Sequence, residues 1–161
     1  MSELGEMLRN AMRRWTTGVT VVTTSDGATR HGMTVNSFTS VSLDPPCVSV
    51  TMDNRTRTHQ LVLKSGHFGV TILSSEQKEL ADLFAGKLSE SSRRFAGLAT
   101  FQLVSGAPFI EGGLAFIDCK IIHTFSLPRS TLFVGSVLTA RVEDKVTPLI
   151  YLNRSFHQSL P

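Results

Sequence analysis

The stretch GMTVNSFTSVSLDPP, residues 32–46, decides how this chain is interpreted. Six of the nine residues from Thr34 to Ser42 are threonine, serine or asparagine, and an Asp-Pro-Pro triplet follows soon after them. Such side chains carry short hydrogen-bond donors and acceptors and leave backbone N–H groups accessible. The stretch is therefore either an ordinary polar strand end or a platform that hydrogen-bonds the edge of a flat polar heterocycle. Composition alone leaves both interpretations open.

Strands are predicted on both sides of this stretch. Residues 18–24 form a β-branched run, and Ser25-Asp26-Gly27 then gives a turn signal. A strand should therefore return antiparallel from about Thr29 to Phe38. Beyond the two prolines, which fix an extended path, residues 47–52 alternate apolar with small polar side chains, as a half-buried strand does.

The rest of the chain is predicted to be rich in strands, with few short helices. Because helices do not alternate with strands, a doubly wound parallel sheet is disfavoured, and an antiparallel barrel with peripheral helices in a single domain, residues 1–161, fits better. Helices are expected at 3–15, where apolar residues form one face, at 58–64, ending near Gly66, and from the capping-box pair Ser74 and Gln77 to about Ala85. Strands are expected at 67–73, 100–104, 114–125 and 132–143, a mobile loop at 86–97 and a turn at 127–130. The tail is expected to pack Leu149, Tyr151 and Phe156 onto the body.

A second polar group follows the strand at 47–52. It consists of Thr51 and the run Asn54-Arg55-Thr56-Arg57-Thr58-His59, at the expected start of a helix. Helix N-termini attract phosphate through free N–H groups and the helix dipole, and arginine binds phosphate oxygens well. The run is therefore either a phosphate site or a solvated turn with N-cap threonines.

Composition and motifs exclude several classes of function. The 161 residues are 41% hydrophobic and 18% charged, which indicates a globular chain. The N-terminal sequence does not indicate a secretory signal, and the apolar runs are too short to indicate a membrane span. A cytoplasmic protein is therefore expected. The net charge of +3 suits an anionic ligand, but the cations are scattered, so nucleic-acid binding is not expected. Dinucleotide and nucleotide-phosphate glycine motifs, the esterase elbow and metal-binding histidine spacings are absent, and Cys47 and Cys119 are interpreted as buried thiols.

In order and spacing, these segments resemble the flavin reductase family, which has the FMN-binding split-barrel fold. The segment from Gly32 to Pro46 carries the specific part of the resemblance, and weaker matches follow in the same order along nearly the whole chain. These matches are residues 17–24, Thr58, 65–70, Gln77, Leu80-Ala81, Phe84-Ala85, Phe95, 106–108, Leu114-Ala115, Cys119, 132–137 and Pro148-Leu149.

The resemblance implies a mainly β fold, an antiparallel split β-barrel with Greek-key connections. It implies hydride transfer from NADH or NADPH to FMN or FAD in a homodimer, with a flavin-dependent monooxygenase as a possible partner. No catalytic side chain is assigned, because the flavin itself accepts hydride at N5. By position in the resemblance, the isoalloxazine is expected along Thr34, Val35, Asn36, Ser37 and Ser40. The ribityl and phosphate end is expected near Thr51, Met52, Asp53, Arg57 and Thr58. Phe84 and Ala85 match the region at the flavin's far end, and Arg93 and Arg94 are further candidates for phosphate contacts.

One turn departs from the family pattern. Where relatives commonly have Gly-Asp-His, close to the nicotinamide site, this chain has Pro128-Arg129-Ser130. The cation of Arg129 either attracts a pyrophosphate or the 2′-phosphate of NADPH, or it points into solvent. The loss of the histidine keeps two other functions open: a flavoprotein that holds its flavin tightly and reduces another acceptor, and a non-enzymatic flavin-binding module.

Overall fold

The computed structural model describes residues 2–86, 94–144 and 147–159, and strands dominate it. The helices are α1 (Glu3–Met12), α2 (Arg57–Ser65) and α3 (Lys78–Phe84), the last preceded by a single 3₁₀ turn, Ser75–Gln77. The strands are β1 (Thr17–Gly18), β2 (Thr20–Asp26), β3 (Thr29–Val35), β4 (Thr39–Leu43), β5 (Pro46–Asp53), β6 (His67–Ile72), β7 (Thr100–Gln102), β8 (Pro108–Ile110), β9 (Ala115–Ser126), β10 (Ser130–Val142), β11 (Ile150–Leu152) and β12 (Ser155–His157).

Seven of the strands form one antiparallel sheet in the order β3-β2-β6-β9-β10-β5-β4. Strands β3 and β4 are its two edges, so the sheet is not closed by hydrogen bonds. Val35 of β3 and Val48 of β5 nevertheless belong to the same buried cluster as Phe68 and Phe133 of the central strands. The sheet must therefore curl around a shared core, which is the geometry of the split barrel that the resemblance implies.

Strand β2 is buried on both faces. Val22 packs in the barrel core, whereas Val21, with Val19 just before the strand, packs in a second cluster with Phe84 of α3 and Leu149 of the tail. Successive side chains of a strand point to opposite faces, so one strand supplies both clusters. The second cluster holds α3 against the outside of the barrel.

Most sequence-based expectations for the secondary structure are confirmed. Helix α2 begins at its N-cap Thr56 and ends at Gly66, whose φ of 73° is the left-handed conformation that favours glycine. Both cysteines are free and buried, and Leu149 is fully buried with Tyr151 and Phe156 packed around it. Residues 87–93 of the predicted loop, which include Arg93, lie outside the described residues.

Several predicted boundaries are wrong. The return strand after the first turn ends at Val35 instead of Phe38, and Thr39–Leu43 forms a separate edge strand. The N-terminal helix ends at Met12 instead of Trp15. The strand expected at 100–104 ends at Gln102. Its partner β8 and the pair β11–β12 were not expected, because strands of three residues are too short for a periodicity to be read from them.

Helix α1 is amphipathic, but no residue in it is buried. Leu4, Met7, Leu8 and Met12 expose more than half of their surface, as does Trp15 beyond its end. Across the described part of the chain, no helix combines the length and the apolar character that a bilayer crossing requires.

Close packing at Gly135 in β10 gives a test of the barrel core. A Cβ atom there would lie 2.7 Å from Phe68 Cζ and 2.9 Å from Cys119 Cβ, both fully buried. We therefore expect Gly135→Ala to lower the free energy of unfolding by about 1–3 kcal/mol through overpacking. Gly18→Ala is the matched control, because nothing lies within 4 Å of its Cβ position. Urea denaturation measures both, and equal stability of Gly135→Ala and wild type would contradict the packing described here.

Candidate functional site

Two adjoining cavities lie beside α3, and both touch Ala85. The large cavity has a volume of about 760 Å³ and lies between β3, the start of α2 and the end of α3. The small cavity, about 240 Å³, lies between the end of β3 and the β11–β12 hairpin. The large cavity is lined by His31, Met33, Asp53, Arg55, Thr56, Arg57, Thr58, Phe84, Ala85, Gly86 and Arg94, and the small one by Val19, Thr34, Val35, Asn36, Ala85, Tyr151, Arg154 and Phe156.

The N-terminus of α2 forms one wall of the large cavity. Thr56 caps the helix, since its Oγ1 accepts a hydrogen bond of 3.2 Å from His59 N and donates one of 2.9 Å to Asp53 O. The buried hydroxyl of Thr58 lies 2.8 Å from Nδ1 of His31 on β3. Arg57 begins the helix and lines the same wall. A helix N-terminus with an arginine and a threonine at its opening suits an anion.

The charges that line the large cavity are mostly positive. Asp53 is held by Arg55, whose Nε and Nη2 donate to its two carboxylate oxygens at 3.0 and 2.6 Å. These hydrogen bonds from Arg55, with a smaller effect of the charge of Arg129, keep the pKa of Asp53 well below its usual value. Asp53 is therefore ionised and already paired, and Arg57 and Arg94 contribute the remaining fixed positive charges of the lining.

Arg94 links two walls of the large cavity. Its Nη1 donates to Gly32 O at 3.1 Å and to Phe84 O at 3.5 Å, so it connects β3 to the last turn of α3. Unlike Arg93, Arg94 lies among the described residues, and the structure shows that it lines the cavity.

A hydrogen-bond chain that begins at the buried His59 joins the start of α2 to the turn at 127–130. The Thr131 hydroxyl donates to Asn54 Oδ1 at 2.8 Å, so its oxygen accepts from His59 Nε2 at 2.9 Å. Asn54 in turn donates from its side chain to Leu127 O and from its backbone to Arg129 O, both at 3.1 Å.

The histidine in this chain is neutral. Burial lowers the pKa of His59, and its Nδ1 has no hydrogen-bond partner among the described residues. His59 therefore carries its proton on Nε2 and donates it to the Thr131 hydroxyl. The hydrogen bonds that continue through Asn54 hold the Pro-Arg-Ser turn beside the Asp53–Arg55 pair of the large cavity.

The small cavity is built from two distant parts of the sequence. Thr34, Val35 and Asn36 form its barrel side, and Thr34 Oγ1 donates to Ala81 O of α3 at 2.7 Å. Tyr151 and Phe156, whose ring centroids are 5.4 Å apart, form the opposite side.

The structure brings together eight of the twelve predicted site residues. Asp53, Arg57, Thr58 and Phe84 line the large cavity, Thr34, Val35 and Asn36 the small one, and Ala85 both. Four others line neither cavity. Met52 is buried in the barrel core. Ser37 and Thr51 bond to each other, since Ser37 Oγ donates to Thr51 O at 2.7 Å and accepts from Thr51 N at 3.2 Å. Ser40 is exposed on β4 opposite Val48.

Seven lining residues were missed from the sequence, one of them Val19, which was expected in a strand but not at the site. His31 and Met33 share a face of β3 with Val35, so the period of two in a strand could have identified them. Gly86 follows the predicted end of a helix. Tyr151, Arg154 and Phe156 belong to a hairpin that carried no strand signal, and nothing in the sequence places them near Asn36.

Comparison with known proteins agrees with the fold. Residues 12–159 match the family described as "Flavin reductase like domain". The chain is 35% identical to the reductase component of FADH(2)-dependent resorcinol hydroxylase from Rhizobium sp. (strain MTP-10005), over 98% of this chain and 89% of that protein. It is 36% identical to an NADH-dependent flavin reductase from Rhodococcus sp., over 92% and 83%.

A solved structure of a flavin-reducing enzyme has the same fold as this chain. The NADH:FAD oxidoreductase SgcE6 of Streptomyces globisporus C-1027 superposes with a TM-score of 0.90 at 31% identity, covering 100% of this chain and 96% of that one. Together with the open antiparallel barrel and the two adjoining cavities, these matches show that the chain belongs to the flavin reductase-like family.

Proposed function

We propose that this protein transfers hydride from NADH or NADPH to FMN or FAD, which binds across the two cavities. The observation that carries the proposal is the junction at Ala85, where a ring-sized cavity opens beside a larger one with a positively charged end. NADH dependence is supported by the Rhodococcus relative, which is an NADH-dependent flavin reductase.

The large cavity fits the ribityl and phosphate part of a flavin. Its volume of about 760 Å³ falls in the range of ligand sites, and the N-terminus of α2 supplies N–H donors beside Arg57 and Thr58. Asp53 does not oppose the phosphate, since its charge is paired with Arg55. Arg94 adds a second cation, and Phe84 and Ala85 close the wall between the cavities.

The small cavity fits the ring. Thr34, Val35 and Asn36 present a strand end to it, where the amide of Asn36 and backbone groups are available to a polar ring edge. We also propose that the flavin contacts Ser37, Ser40, Thr51 and Met52, although these residues line neither cavity. The hydrogen bonds between Ser37 and Thr51 fix the strand next to the small cavity. The flavin supplies the hydride acceptor, and the protein binds, orients and shields it.

Two other functions stay open because Ser130 replaces the family histidine: a tightly held flavin with another acceptor, and a non-enzymatic flavin-binding module. The position of the turn favours the reductase, since Ser130 pairs with Asp53 across β10 and β5 and Arg129 lies near that carboxylate. A cation at the rim of the large cavity can replace the lost histidine in attracting a dinucleotide. A partner monooxygenase is supported by the Rhizobium relative, which is named as a reductase component.

A homodimer is the second part of the proposal. One chain leaves two apolar surfaces uncovered: the α1 face, and the outer surface of β9 and β10, where Ile122, Phe125 and Leu138 are exposed. Apolar surfaces of this kind mark interfaces, and self-association in a closed dimer is the commonest way to cover them.

Flavin binding tests the first part of the proposal. We expect about one FMN or FAD per chain, measured by quenching of flavin fluorescence. Arg57→Gln should weaken FMN binding about tenfold, since a charge-assisted hydrogen bond to phosphate contributes roughly 1.5–3 kcal/mol. Lys64→Gln, which removes a cation at the other end of α2, is the control and should bind as wild type. Absence of binding of both flavins would refute the proposal.

Arg129 tests the nicotinamide part. In Arg129→Ala the KM should rise at low ionic strength, more for NADPH than for NADH, because a cation that attracts phosphate is lost. Flavin affinity should not change. Arg129→Lys, which keeps the charge, should lie close to wild type. Identical steady-state kinetics in Arg129→Ala and wild type would show that the side chain only points into solvent.

Light scattering tests the dimer. Wild type at micromolar concentration should have twice the chain mass of 17.6 kDa. Leu8→Glu and Phe125→Glu each place a charge on one of the two apolar surfaces and should shift the equilibrium towards monomer. Asn10→Glu adds the same charge elsewhere on α1 and should remain dimeric. A wild-type monomer that binds flavin fully would contradict this part of the proposal.

A further inference from the structure

The tip of the β11–β12 hairpin holds an unusual arginine. Asn153 and Arg154 have φ values of 47° and 66°, and they are the only residues other than glycine with positive φ in the described chain. Glycine adopts this left-handed region most easily, so an arginine there is not the residue that the turn itself favours. Arg154 is also the residue of this turn that lines the small cavity.

The hairpin tip is fixed against the body of the protein. Asn153 N donates to Arg13 O, after the end of α1, at 3.1 Å, and Tyr151 pairs with Thr17 of β1. Phe156 packs against the cluster that contains Leu149 and Phe84. Arg154 is therefore held beside the small cavity by a rigid element and not by a free tail.

The exposed side chain of Arg154 has no acidic partner among the residues that the structure describes. No carboxylate lies among the described residues that line the small cavity. The small cavity thus combines two aromatic rings, a polar strand end and one positive charge.

We propose that Arg154 makes this cavity bind the reduced, anionic form of a flavin ring more tightly than the oxidised, neutral form. The inference rests on the proposed function. Transfer of a hydride from NADH adds two electrons and one proton to the ring, releases NAD⁺ and leaves a negative charge around N1 and the C2 carbonyl. A cation at the edge of the ring attracts that charge more strongly than it attracts the neutral carbonyl and nitrogen acceptors of the oxidised ring.

Anaerobic titrations with oxidised and with photoreduced FMN test the proposal, monitored by absorbance and fluorescence. Wild type should bind reduced FMN at least about tenfold more tightly than oxidised FMN. In Arg154→Gln the two affinities should differ by less than about threefold, whereas Arg154→Lys should keep most of the preference. A tenfold change in this ratio corresponds to about 30 mV in the two-electron potential of bound FMN, which a dye-coupled titration measures independently.

Arg154→Gly separates charge from folding. Glycine relieves the positive φ, so this variant should be at least as stable as wild type and should still lose the preference for reduced FMN. Equal affinity of wild type for both redox forms, or an unchanged ratio in the Gln and Gly variants, would overturn the inference. So would a change confined to the KM for NADPH, which would assign Arg154 to the dinucleotide. If wild type bound neither form of FMN nor FAD, the proposed function itself would fail.

Discussion

The burial of β2 on both faces is the constraint on which the rest of the structure depends. A strand with no exposed side must satisfy every polar side chain it carries. Its threonines do so with backbone carbonyls: Thr20 Oγ1 donates to Val35 O at 3.1 Å, and Thr24 Oγ1 to His67 O at 2.9 Å. Each bond ties β2 to a neighbouring strand, while Val19 and Val21 hold α3 outside the barrel. The position of the wall between the two cavities is therefore set by a strand whose first five residues are buried.

Much of this architecture could be predicted from the sequence. The β-branched run, the Ser-Asp-Gly turn and the alternation of residues 47–52 are local patterns, and each predicted an element that exists. The polar run before α2 was likewise identified from its composition, because N-cap threonines and arginines lie next to one another in the chain. These signals depend on neighbours in sequence.

The remainder depends on pairing between distant segments. The small cavity needs Asn36 beside Tyr151, and no local pattern predicts a hairpin of two three-residue strands. In the same way, Arg129 lies near Asp53 only because Ser130 of β10 is in register with Asp53 of β5. The hydrogen-bond chain from His59 to Asn54 could be read only once that register was known. Local chemistry thus predicted the α2 wall of the large cavity, whereas the hairpin wall of the small cavity depends on pairing that no local pattern shows.

The burial of Cys119 has a consequence for how the protein withstands its own chemistry. Removal from water, with a further effect of the neighbouring Asp118 charge, raises the pKa of this thiol to about 12. Reduced flavin that meets dioxygen before it meets an acceptor yields hydrogen peroxide, and peroxide attacks thiolates, not thiols. At neutral pH Cys119 carries its proton and lies under Phe68 and Gly135. Burial thereby protects this thiol of the barrel interior from peroxide formed by uncoupled turnover.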